Sequence, residues 1–244
     1  VIDIDDNFQV PVVVPAAGIG KRMASDIPKQ YLSLAGKTIL EHTVERLLSH
    51  PNISCVIIAL NPQDTYFNTL PLANHKNVIT VVGGDERCDS VLSGLHAVKN
   101  TVNSPYVLVH DAARPCITHH DISQLIGHCI DTNRGGILAS RVRDTMKRSS
   151  ADNQITHSEP RENLWHALTP QLFKTDELTA ALIKALAEHQ RITDEASAME
   201  YCHYPADVIP GRADNIKVTQ PEDLHLAEFI LQQQHKQQEG SPCA

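Results

Sequence analysis

The chain has 244 residues, 41% hydrophobic and 20% charged, which is enough to bury a core and excludes disordered, collagenous and coiled-coil compositions. With 21 basic against 29 acidic residues its formal net charge is −8, which excludes the broad basic face needed to grip a nucleic-acid backbone. No apolar run reaches the ~20 residues of a spanning helix, and six cysteines at irregular spacings read as the reduced thiols of a cytoplasmic protein.

In chain order, the start from Val1 to Asp6 is acidic where an export signal would be basic. Val10 to Val14, β-branched and apolar, predicts a strand buried on both faces. Thr38 can cap a helix in which Ile39, Leu40, Val44, Leu47 and Leu48 recur at helical spacing before Pro51. Further strands are predicted at Cys55 to Leu60, Val78 to Val82, Tyr106 to Val109 and Ile137 to Ala139. Helices separate them around Val91, Leu92 and Leu95, which Ser90 can cap, and from Ile122 to Ile130. This alternation predicts an α/β fold, a Rossmann-like mostly parallel sheet flanked by helices. Residues 141–162 break the pattern: alternation at Val142 to Met146 and around Ile155, with Asp152-Asn153 between, predicts a polar β-hairpin arm outside the core. Helical spacing resumes at Leu178 to Leu186, at Ala196 and Met199, and at Asp223 to Leu231, after which the Gln-rich tail is expected to fray. Nothing divides the chain, so residues 1–244 are expected to form one domain with the 141–162 arm inserted in it.

Ligands of open parallel sheets bind beyond the carboxyl ends of the strands, so the residues there carry the functional reading. The first predicted strand runs into Pro15-Ala16-Ala17-Gly18-Ile19-Gly20-Lys21-Arg22-Met23, followed by Pro28-Lys29-Gln30. Small residues let the backbone approach a phosphate chain, and Lys and Arg neutralise it. Met23 replaces the third glycine of a dinucleotide fingerprint, while Pro15 and Arg22 break a P-loop, so the cradle is of another kind. The third strand ends in Gly83-Gly84-Asp85-Glu86-Arg87-Cys88-Asp89-Ser90, whose short polar groups can read the edge of a base. The fourth ends in His110-Asp111-Ala112-Ala113-Arg114-Pro115, where Asp111 could contact Mg²⁺ or serve as a plain turn residue. The fourteen histidines are scattered and read as surface residues.

Together these loops resemble 2-C-methyl-D-erythritol 4-phosphate cytidylyltransferases, nucleotidyltransferase-fold enzymes of the non-mevalonate isoprenoid route. Asp144-Thr145-Met146-Lys147, Trp165 with Thr169-Pro170-Gln171, Thr193-Asp194-Glu195-Ala196 and Gly211 to Val218 extend the resemblance over residues 10–231. Arg141 departs from it, standing where the family usually has Pro, and so does Leu168, where Gln is frequent. The resemblance implies that CTP and 2-C-methyl-D-erythritol 4-phosphate give 4-diphosphocytidyl-2-C-methyl-D-erythritol and pyrophosphate. It makes Arg22, Lys29, Arg161 and Lys217 catalytic. Ala16, Ala17, Gly18, Gly20, Gly84, Asp85, Ser90, Asp111 and Ala112 would then hold the nucleotide, and Mg²⁺ would lie near Asp111 and Asp214. Arg114, Thr145, Arg161, Thr169, Thr193 and Lys217 would serve the acceptor, and the arm would form a homodimer that delivers Thr145 and Arg161 to the neighbouring site. A ribitol 5-phosphate cytidylyltransferase, or a nucleotide-binding domain without chemistry, is the alternative. Asp111-Ala112-Ala113-Arg114 and Thr193-Asp194-Glu195-Ala196 speak against the first, and the retained charges against the second.

Overall fold

A computed structural model describes residues 8–18 and 27–239. Strands β1 (Val10–Ala16), β4 (Ile53–Leu60), β5 (Val78–Val82) and β6 (Tyr106–Val109) form where the β-branched runs predict them. A short hairpin, β2 (Ser33–Leu34) and β3 (Lys37–Thr38), leads into helix α1 (Ile39–Leu48). Thr38 and Glu41 close a reciprocal capping box there, so the predicted start of α1 holds. Helix α2 (Arg87–Ala97) is capped by Glu86 and not by Ser90, because the chain turns helical four residues earlier than expected. Helix α3 (His119–Thr132) precedes β7 (Gly135–Arg141).

The hairpin is present but shifted. Val142 to Thr145 are not strand, and the arms are β8 (Met146–Ser149) and β9 (Ile155–Glu159), paired only with each other. Two strands of the central sheet escaped prediction, β10 (Trp165–Lys174) and β11 (Ala206–Pro210), as did the short β2–β3 hairpin. Helices α4 (Thr175–Ala187) and α5 (Glu195–Tyr201) separate them, and α6 (Pro221–Glu239) ends the described chain. The Gln-rich segment does not fray at Gln232. It continues α6, and buried Gln234 donates from Nε2 to the Cys116 carbonyl at 2.9 Å.

The sheet order is β11-β7-β10-β6-β1-β4-β5, with β10 antiparallel to both neighbours and the other pairs parallel. Helices cover both faces, and β1 shows why. Val12 and Val14 join one core with Leu40, Val44, Ile122 and Leu125 of α1 and α3. Val13, between them, faces the other with Val91, Leu95, Leu178 and Leu182 of α2 and α4. The chain runs from β1 out to β4 and β5, then returns through α2 to β6 on the opposite side of β1. That reversal opens a crevice above β1 and β6.

Candidate active site

A cleft of about 380 Å³ occupies this crevice. Ten predicted residues line it: Ala16, Ala17, Gly18, Lys29, Gly84, Asp85, Ser90, Asp111, Ala112 and Lys217. Arg22 and Gly20 lie outside the described residues.

Each wall is held by identifiable bonds. Lys29 and Gln30 sit on a single 3₁₀ turn, where Gln30 Nε2 donates to the Ala16 carbonyl at 2.7 Å and Lys29 Nζ to the Val218 carbonyl at 3.2 Å. The turn therefore links the end of β1 to the segment before α6. Opposite it, a Cβ on Gly83 would stand 2.6 Å from the Ala17 Cβ and 2.8 Å from Ser90 Oγ, so only glycine lets this loop close on β1. Ser90 is buried, and its Oγ accepts the Gly84 N–H at 3.1 Å. It shapes the loop more than it faces the cleft, which leaves exposed Asp85 and the loop backbone as the polar rim.

The floor is charged. Asp111, 6% exposed, receives Arg87 Nε on Oδ1 at 3.0 Å and Lys217 Nζ on Oδ2 at 2.9 Å, with Arg114 Nε at 3.4 Å. Burial alone would push its carboxyl up, but Arg87, Lys217 and Arg114 hold it well below the usual carboxylate range. Arg87 also forks onto fully buried Glu195, Nη1 to Oε1 at 2.5 Å and Nη2 to Oε2 at 3.0 Å. Neither Arg87 nor Glu195 was assigned a role from sequence, although both lie inside the quoted motifs.

Behind the floor the polar groups are satisfied in a chain. His110 Nε2–H donates to the Arg114 carbonyl at 3.1 Å, and its Nδ1 accepts from Thr169 Oγ1 at 3.0 Å. Thr169 Oγ1 in turn accepts the Asp111 N–H at 3.0 Å. Burial pushes the His110 imidazole down to about 4, so it stays neutral and keeps this direction at neutral pH. Buried Thr169 thus positions Asp111 from beneath. Arg114 donates to the Asn215 carbonyl at 2.7 Å, and Gln171 ties β10 to α5 by donating to Asp194 at 2.9 Å and accepting the Ala196 N–H at 3.0 Å.

The remaining predicted residues are elsewhere. Exposed Thr193 precedes α5, where its N–H donates to Ser197 Oγ at 3.1 Å. Exposed Thr145 precedes β8. Arg161 lines a separate hollow at the base of the hairpin. Asp214 is not brought to the cleft either: its carboxylate takes both arms of Arg212. Of the predicted metal pair, Asp111 lines the cleft and Asp214 does not, and no cluster of three or more His, Cys, Asp or Glu placed to hold a metal occurs among the described residues.

A family model described as IspD, 2-C-methyl-D-erythritol 4-phosphate cytidylyltransferase, matches residues 10–233. The chain is 57% identical to the 2-C-methyl-D-erythritol 4-phosphate cytidylyltransferase of Pseudoalteromonas atlantica over 91% of its own length and 94% of that protein's. It is also 57% identical to that of Vibrio parahaemolyticus, over 90% and 94%. The crystal structure of the Francisella tularensis enzyme superposes with a TM-score of 0.78 at 33% identity, covering 91% of this chain and 99% of that one.

Proposed function

The chain belongs to the 2-C-methyl-D-erythritol 4-phosphate cytidylyltransferase family, the nucleotidyltransferases that use CTP in the non-mevalonate route, and we propose that it works through the cradle and charged floor of this cleft. The acceptor's phosphate oxygen attacks the α-phosphorus of CTP and pyrophosphate leaves, with no covalent enzyme intermediate. The protein's task is to hold two polyanions in line and to neutralise charge gathering on a five-coordinate phosphorus. Lys29, and Arg22 from the segment that follows β1 in sequence, meet that charge. Lys217 aligns the incoming phosphate while Asp111 keeps its ammonium in place at 2.9 Å. The convergence of Lys29, Asp111 and Lys217 on one cleft carries this reading.

Gly84 and Asp85 take the cytosine and ribose, with Ser90 shaping their loop. Pyrophosphate release measured with each of the four ribonucleoside triphosphates is expected to favour CTP, and equal or better use of UTP or ATP would refute the assignment. A Mg²⁺ ion fits here with Asp111 as its protein carboxylate, since such ions take one or two carboxylates beside substrate phosphates. Asp111 already faces Arg87 and Lys217, so the phosphates would supply most of the ligands. The ion, when bound, neutralises the triphosphate. Among the described residues five cysteines are free, which supports a reducing, cytoplasmic setting.

The hairpin serves as the arm of a homodimer. Its strands are exposed on every residue but Glu159, with Ile155 67% and Met146 37% exposed, and a lone two-stranded ribbon is marginal in water. Through it, Thr145 and Arg161 reach the partner's acceptor. Mixing inactive Arg161→Ala subunits with inactive Lys29→Ala subunits, under conditions of proven exchange, is expected to restore activity in mixed dimers. Exchange without recovery would place the arm's residues at their own subunit's site.

A further inference from the structure

A hollow of about 550 Å³ lies where the hairpin leaves the sheet, and three guanidinium groups border it: Arg141, Arg143 and Arg161. Arg141 ends β7, Arg143 follows on the outgoing chain, and Arg161 stands on the returning one. Their placement is structured. Arg141 and Trp165 are paired across β7 and β10, and the Arg141 guanidinium lies 4.3 Å from the centre of the Trp165 ring. Arg161 Nη1 donates to the Arg143 carbonyl. The Leu164 N–H donates to the Arg161 carbonyl at 3.1 Å and the Val142 N–H to the Leu164 carbonyl at 3.1 Å, pinning the two sides of the base together.

Exposed arginines on a soluble protein are ordinary, and most pair with acids. Here no acidic residue lines the hollow, and none of the three guanidiniums forms an ion pair among the described residues. The nearby Asp144 borders the adjoining hollow instead. In a chain of net charge −8, three guanidiniums gathered around one space with no ion pair favour an anion there, most of all a dianion that can take several charge-assisted bonds.

We propose that Arg141, with Arg143 and Arg161, forms a pocket for a phosphate monoester dianion, and that Arg141 is a further acceptor-binding residue of this enzyme, presented with Arg161 to the partner's site. The inference rests on the reading that Arg161 serves the acceptor. Arg141 is suited to the task because the indole face holds its plane, leaving the N–H edge free to fork onto phosphate oxygens.

Trp165 is the chain's single tryptophan and lies directly under Arg141, so its emission reports this pocket without turnover. Titrating the intact protein, without CTP, with inorganic phosphate and separately with 2-C-methyl-D-erythritol 4-phosphate should change that emission saturably. In Arg141→Gln both the titration midpoint and the KM for the polyol phosphate should rise about tenfold, the worth of one charge-assisted bond. The KM for CTP should stay within about twofold, and Arg141→Lys should recover most of the loss. Saturation by the polyol phosphate but not by inorganic phosphate still supports the pocket, with the polyol adding affinity. If Arg161→Lys raises the polyol phosphate KM while Arg141→Gln moves neither midpoint nor KM, the role of Arg141 is overturned and that of Arg161 stands. If Arg161→Lys leaves that KM unchanged, the underlying reading of the acceptor site falls.

Discussion

Lys29→Ala is expected to lower turnover by about 10²–10³-fold while CTP affinity moves little, as befits a group whose interaction strengthens only as charge develops. Lys29 reaches the cleft from a 3₁₀ turn that Gln30 clamps to the end of β1, so its ammonium is preorganised and need not be recruited. Its bond to the Val218 carbonyl holds it beside the segment that carries Lys217. Arg22→Ala is expected to act in the same direction, since Arg22 belongs to the same glycine-rich, basic sequence motif, Gly18-Ile19-Gly20-Lys21-Arg22. Single-turnover rates separate chemistry from binding, and a melting curve checks that the loss of the Val218 contact has not loosened the turn. A Lys29→Ala enzyme turning over near the parental rate would sink the assignment.

The same cleft shows what could be read in the sequence and what could not. The β-branched runs marked β1, β4, β5 and β6, and their carboxyl ends delivered Ala16, Gly84 and Asp111 to one crevice because a parallel sheet aligns those ends. Strand β10 was hidden by its own chemistry. Pro170 argues against a central strand, and the structure accommodates it by shifting the ladder register between Ala167 and Gln171. Edge strand β11 is only five residues long and ends in Pro210. The Arg87–Glu195 fork joins residues 108 apart, so no local pattern announces it. An acid inside one motif and a base inside another were the available signals, and pairing them required the fold. Residue Asp214 shows the converse: it lies three positions from Lys217 in sequence, yet its carboxylate is spent on Arg212.

Removing the far end of that fork should damage both stability and rate, in separable ways. Glu195 is fully buried and accepts both Nη groups of half-buried Arg87, while Arg87 Nε holds Asp111. Glu195→Ala leaves a charge inside the protein with half its partners, and breaking a buried pair from one side costs about 3–5 kcal/mol. Partial exposure of Arg87 places the expected loss near the lower bound, about 3 kcal/mol, or a melting temperature lower by about 6–12 °C in a domain of this size. Replacing both partners, as Arg87→Met with Glu195→Leu, removes the stranded charge and should recover most of that stability. It should not recover activity, because Asp111 then keeps only Lys217 and Arg114 and the floor of the cleft loses its bridge to α5. Differential scanning calorimetry and pyrophosphate release, run on the single and double variants, read the two effects independently. A Glu195→Ala protein melting within about 2 °C of its parent would mean that Arg87 reaches solvent on losing the fork. A double variant with parental turnover would remove Arg87 from the machinery altogether.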